Sequence, residues 1–232
     1  ASCLVGSEMC IRDSIKVEGL QQYRPIGAFS FLGRYRVIDF PISNMSNSGI
    51  DRIQVYVRTK PRSLAEHLGT GRHYNINSKR GKLNILFAET IEENNVYNTD
   101  IAAYIENFDC FDEIDSEYVV LAPSYMIYTA DYNTFLQSHI ESGADITLMY
   151  FDNSDDSTNC DYDGVYLKTD EDDKVLDMCY SEGKHRSNKK SMDAYIMKTT
   201  LLIDFIETAI AHNKKHFFFD VIVPNFDRLV IQ

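Results

Sequence analysis

Residues 117–132 read EYVVLAPSYMIYTADY and contain the repeating unit of the fold in its shortest form. The apolar start predicts a strand, the residues from Pro123 onward predict a loop, and residues 131–143 predict a helix. In an open α/β sheet, ligands and catalytic groups lie beyond the carboxyl ends of the strands. We therefore expect a functional position in the loop after this strand, although Pro123, Ser124, Tyr125 and Met126 include no carboxylate.

The same alternation continues on both sides of this segment. Short apolar runs rich in β-branched and aromatic residues alternate with runs of helical period, which is typical of a mainly parallel sheet covered on both faces. An apolar stripe predicts a further helix over residues 200–212. The sequence thus predicts an α/β domain with a mainly parallel mixed sheet. The predicted strands are 52–57, 83–87, 118–121 and 146–150, followed by the partly antiparallel 164–168, 175–179 and 192–197.

Length and charge exclude several functions. At 232 residues and 44% hydrophobic, the chain can bury one sizeable core. Its 23 basic and 35 acidic residues give a net charge of -12, which disfavours nucleic acid as a partner. No apolar run reaches the roughly 20 residues of a membrane span. Five irregularly spaced cysteines favour free thiols and a cytoplasmic location.

Both ends of the sequence predict a fragment. Residues 4–14, LVGSEMCIRDS, resemble the in-frame translation of a transposase adaptor used in sequencing libraries, so residues 1–14 are predicted to be a non-native scar. An ordinary native N-terminus is the alternative. Residues 15–232 then form a partial domain, whose final stretch FDVIVPNFDRLVIQ lacks a closing element.

Phosphate-binding signals are weak. There is no G-x-G-x-x-G and no GKS/T, and Gly69-Thr70-Gly71 fits a helix cap better than a phosphate loop. The richest segment is residues 24–50, in which Gly33 permits a tight turn and Arg34 and Arg36 offer forked donors suited to phosphate. The alternative is that these arginines pair with local carboxylates such as Asp39.

Two acidic features have structural interpretations. Asp131 precedes a helix and is expected to cap it rather than to act as a catalyst. Residues 152–163, DNSDDSTNCDYD, lack the ligand spacing of an EF-hand and are expected to form a solvated surface loop.

At this point several motifs, in order, carry a family resemblance. Residues 33–50, GRYRVIDFPISNMSNSGI, resemble the signature of bacterial ADP-glucose pyrophosphorylases. Residues 24–36, 63–86 and 191–202 are more similar still to the GlgD-type subunit of that family. The resemblance implies a Rossmann-like, GT-A-like sugar-nucleotidyltransferase domain, here without its first strand and phosphate loop and without the C-terminal left-handed β-helix. The signature positions are Gly33, Tyr35, Asp39, Asn44, Asn47 and Gly49.

The resemblance also implies a chemistry from which this chain departs. Catalytic members join ATP to glucose 1-phosphate with an early Lys, an Asp that holds Mg²⁺ and a Glu-Lys-Pro. Ile26 and Tyr125 occupy the Lys and Asp positions as degenerate sites, residues 98–100 replace a Gly-Thr-Ala loop, and no Glu-Lys-Pro follows residue 177. A neutral phenol cannot replace a carboxylate as a ligand for a hard cation.

We therefore expect a non-catalytic, regulatory GlgD-type subunit of glucose-1-phosphate adenylyltransferase, with no catalytic residue, metal site or cofactor of its own. The expected partner is a catalytic GlgC-type subunit in a hetero-oligomer, and Arg34, with Arg36, is the candidate contact for a sugar-phosphate effector. The alternatives are a weakly active sugar-phosphate nucleotidyltransferase and a module that binds a nucleotide or sugar phosphate without chemistry.

Overall fold

A computed structural model of the chain describes residues 2–6, 24–57, 61–69, 71–76, 82–87, 100–111, 114–152, 164–181, 188–214 and 216–232. Its strands follow the apolar runs of the sequence, because β-branched and aromatic side chains pack well on a pleated surface. In chain order they are β1 (Ser2–Gly6), β2 (Ser30–Phe31), β3 (Tyr35–Arg36), β4 (Arg52–Val57), β5 (Lys82–Phe87), β6 (Tyr118–Pro123), β7 (Ile146–Asp152), β8 (Gly164–Thr169), β9 (Val175–Ser181) and β10 (Lys189–Lys198).

Helices lie between these strands. The α-helices are α1 (Asp39–Asn47), α2 (Arg62–Leu68), α3 (Asp100–Glu106), α4 (Tyr132–Ser142), α5 (Thr199–Ala211) and α6 (Val223–Asn225). Short 3₁₀ helices cover Ile26–Ala28, Arg72–Tyr74, Phe108–Phe111 and Phe226–Arg228, and a π-helix covers Phe217–Ile222. The Asp131 side chain accepts a hydrogen bond from the backbone N of Asn133 at 2.9 Å, so the predicted cap of α4 is confirmed.

The main sheet is mixed, as the sequence predicts. Its order is β5-β4-β1-β6-β10-β8-β9, and β7 pairs with β10. The strands β5, β4, β1 and β6 run parallel, whereas β10 is antiparallel to β6, to β7 and to β8. The carboxyl ends of the parallel strands therefore meet at one edge, where an α/β fold places its ligands.

The N-terminus differs from the prediction. Residues 2–6 form β1 between β4 and β6, with Cys3 beside Ile53 on one side and Val120 on the other. This segment completes the hydrogen-bond ladders of two neighbouring strands, and the expectation that the native first strand is missing stays a prediction. Whether residues 1–14 are non-native concerns their origin and stays a prediction.

Both faces of the sheet are covered. On β6, Val119 and Leu121 belong to one buried apolar cluster and Val120 and Ala122 to the other, as the two-residue period of a strand requires. Helix α5 supplies the first cluster with the predicted stripe of buried side chains, and α1 and α2 pack on the second cluster. The α5 residues are Leu202, Phe205, Ile206 and Ala209.

Within the part of the chain that the structure describes, no helix has the length and apolar character that crossing a membrane requires.

Candidate functional site

The loop that follows β6 carries the residues that the sequence singled out. Ser124 is fully buried, and a Cβ placed on Gly27 would come within 3.3 Å of the Ser124 Oγ atom. The 3₁₀ helix Ile26–Ala28 thus rests on the end of β6, and a side chain in place of Gly27 would crowd Ser124. The backbone N of Ile38 donates to the Gly27 carbonyl at 3.1 Å, which ties the same turn to the start of α1. The half-buried Ile26 lies in this turn, so the structure places the turn of Ile26 directly against the residue that precedes Tyr125.

Tyr125 itself pairs with a carboxylate of the neighbouring strand. Its hydroxyl donates a short hydrogen bond to Asp193 Oδ2. The register of β10 against β7 shifts between Ser191 and Tyr195, and Asp193 in this bulge has a positive φ of 54°. Bulges next to functional sites commonly redirect a side chain. Here the bulge brings the Asp193 carboxylate to the carboxyl end of β6.

The sequence analysis did not identify Asp193 as a site residue. A signal was present, because an aspartate inside the run MDAYIM is unfavourable in a regular strand and can indicate a bulge. The contact with Tyr125 depends on tertiary structure, since 68 residues separate the two positions.

The signature residue Asp39 is at the centre of a polar cluster, which we call the α1–α2 clamp and define as Arg36, Asp39, His67 and Tyr74. Asp39 Oδ2 accepts from the backbone N of Arg36 at 2.8 Å, and Oδ1 accepts from the Tyr74 hydroxyl at 2.5 Å. The His67 Nε2 atom lies 2.6 Å from Oδ1 and must carry the hydrogen, because a carboxylate only accepts. The clamp therefore joins α1, α2 and the turn at Tyr74.

Burial strengthens this clamp. Asp39 and Tyr74 are both buried, and burial, followed by the hydrogen bond to Asp39, raises the pKa of the Tyr74 phenol well above its ordinary value. Tyr74 therefore remains a neutral donor at any physiological pH. The clamp is a satisfied structural network.

The two candidate effector arginines have different surroundings. The Arg36 guanidinium donates a short hydrogen bond to the Ser63 carbonyl at the start of α2, so it contributes to the junction of the two helices. Arg34 is exposed in the turn between β2 and β3. Gly33 in that turn has a φ of 74°, which explains the glycine. Tyr35 is also exposed beside it.

The remaining signature positions attach α1 to the segment after β6. The Asn44 Nδ2 atom donates to the Tyr128 carbonyl at 2.8 Å. Ser48, which the sequence analysis did not select, accepts from the backbone N of Tyr132 at 2.9 Å through its Oγ atom. Asn47 is exposed at the last residue of α1, and Gly49 has a φ of 75° where the chain turns toward β4. These residues position the loop that carries Tyr125.

Some sequence predictions lie outside the described residues. They include residues 98 and 99 of the altered loop, residues 182–184 after β9, the segment before residue 15 other than β1, and most of the acidic loop at residues 153–163. Among the residues that the structure does describe, no group of three or more His, Cys, Asp or Glu side chains is arranged to hold a metal ion.

Comparison with known proteins identifies relatives of this chain. Residues 19–224 match the nucleotidyl transferase family. The glucose-1-phosphate adenylyltransferase of Clostridium novyi is 33% identical over 200 residues, covering 85% of this chain and 52% of the relative. That of Clostridioides difficile is 33% identical over 183 residues, covering 78% and 47%. The glycogen biosynthesis protein GlgD of Geobacillus stearothermophilus is 28% identical over 207 residues, covering 89% and 49%. The chain spans about half the length of these relatives.

The match corrects one prediction. The sequence analysis expected no cofactor, but members of the matched family use Mg²⁺ with ATP. The expectation of no cofactor is therefore wrong for a chain with this ancestry. The error came from treating the loss of one carboxylate, at Tyr125, as the loss of the whole metal chemistry.

Proposed function

The chain belongs to the nucleotidyl transferase family, and from this premise we propose that it is a GlgD-type regulatory subunit of a glucose-1-phosphate adenylyltransferase, acting in ADP-glucose and glycogen biosynthesis. In this role it associates with a catalytic GlgC-type subunit in a hetero-oligomer. Its own turnover of ATP and glucose 1-phosphate is slow or absent. A cytoplasmic location belongs to the same proposal, and the free thiols of Cys110 and Cys179 support it.

The observation that carries the proposal is the phenol at the carboxyl end of β6. Phosphoryl chemistry depends on positioning and on neutralising charge on the phosphate oxygens. The Tyr125 hydroxyl, which ordinarily remains protonated, supplies no negative charge to a cation. It donates instead to Asp193. This arrangement supports slow chemistry at a site that other members of the family use for catalysis.

Mg²⁺ is the ion that the family supplies to this chemistry, and the described residues fit it in part. Proteins commonly hold Mg²⁺ through one or two carboxylates together with substrate phosphates. Asp193 is the side chain at this strand end that would hold it, and Tyr125 would orient the carboxylate. When bound, the ion neutralises charge on the transferred phosphate. One protein carboxylate would be enough for an ion whose other ligands come from the phosphates of a bound nucleotide.

The first candidate contact for an effector phosphate is Arg34. Its side chain is exposed on the turn between β2 and β3, and a guanidinium binds phosphate oxygens through two parallel hydrogen bonds. Arg36 is the second candidate, because its hydrogen bond to the Ser63 carbonyl uses one of the five N–H donors of its guanidinium.

The decisive experiment compares the purified chain alone with the chain mixed with a catalytic subunit. Pyrophosphate release from ATP and glucose 1-phosphate is measured with Mg²⁺ present. We expect the chain alone to be at least about 100-fold slower than the catalytic subunit, a loss typical of removing one key electrostatic group. Mixing is expected to change the rate or the effector response of the catalytic subunit, and Arg34→Ala is expected to reduce the effector response. Full turnover by the chain alone would contradict the proposal, and so would the absence of any complex.

A second candidate is a weakly active adenylyltransferase, and the Asp193 carboxylate beside Tyr125 favours it. This candidate predicts slow pyrophosphate release by the chain alone that Asp193→Asn abolishes. Release that survives this substitution would come from a contaminating enzyme or from another site, and would count against this candidate.

A further inference from the structure

We draw no further inference here: the strongest candidate, the exposed apolar patch that Leu32 and Tyr35 form at the tip of the β2–β3 hairpin, carries nothing, because within the residues that the structure describes nothing shows what covers it.

Discussion

Two carboxylates of this domain, Asp39 and Asp193, lie in contrasting surroundings. In the α1–α2 clamp, Asp39 is buried and accepts from a backbone N–H, an imidazole and a phenol. At the end of β6, Asp193 is partly exposed in a bulge and accepts from the Tyr125 hydroxyl. The same chemical group thus joins helices in one region and faces a ligand-binding edge in the other.

The difference shows how a family signature can survive while its chemistry changes. Asp39 and Asn44 hold α1 against α2 and against the loop after β6. Both residues are required for the fold, whichever side chains stand at the end of β6. Tyr125 and Asp193 are both partly exposed, so we expect substitutions there to affect stability less than substitutions in the clamp.

The largest expected effect is the loss of the clamp carboxylate. Asp39→Asn replaces one of the two acceptor oxygens with an NH₂ donor inside a buried network of three donors, so at least one hydrogen bond is lost and the free energy of unfolding should fall by about 2–4 kcal/mol. Asp193→Asn should lower it by less than about 1 kcal/mol, since its surroundings are partly exposed. Urea denaturation of both variants measures the contrast. Equal losses would show that the two carboxylates do not differ in the way described.

A smaller effect on the free energy of unfolding is expected from replacing the two tyrosines that contact these carboxylates. Tyr74→Phe deletes a buried, charge-assisted hydrogen bond and should cost about 1.5–3 kcal/mol of unfolding free energy. Tyr125→Phe should cost about 0.5–1.5 kcal/mol. The same urea midpoints provide the measurement. If Tyr125→Phe lowers the free energy of unfolding more than Tyr74→Phe does, the clamp is not the more structural of the two regions.

The smallest expected effect is a dependence of the protein's stability on pH. His139 is buried, its Nδ1 atom lies 2.8 Å from Thr147 Oγ1, and burial together with Lys198 lowers its pKa below the ordinary 6.5. Unfolding exposes a more basic imidazole, so this contribution to stability is complete above about pH 6.5 and falls as the pH drops below it. Urea midpoints at pH 7.5 and 5.5 should show this loss in the parent and less of it in His139→Gln. An equal acid sensitivity in both proteins would assign the loss to other groups.

Most of the sheet could be predicted from the sequence. The strand over Arg52–Val57 appears with the predicted bounds, and the others begin or end within a few residues of prediction. Helix α1 was missed, because Ser43, Asn44, Ser46 and Asn47 are weak helix formers. It forms because Ile42 and Met45 are fully buried, and tertiary packing outweighs local preference.

The candidate site was predicted only in part. The sequence located the end of β6, because strand period and loop composition are local signals, and the family resemblance then singled out Tyr125 within that loop. It could not supply Asp193, whose position depends on a bulge in a strand far along the chain. It also could not show that the Arg36 guanidinium contacts α2, because the acceptor, the Ser63 carbonyl, lies 27 residues further along the chain.

Local chemistry along the chain therefore determined the α/β class, the strand and helix periods, the Asp131 cap and the absence of a carboxylate after β6. The central place of residues 2–6, the α1–α2 clamp and the pairing of Tyr125 with Asp193 were decided only by tertiary structure. The physical reason is the separation along the chain over which each interaction acts. Periodicity and capping act over a few residues, whereas hydrogen bonds and burial between distant segments exist only after the sheet has brought those segments together.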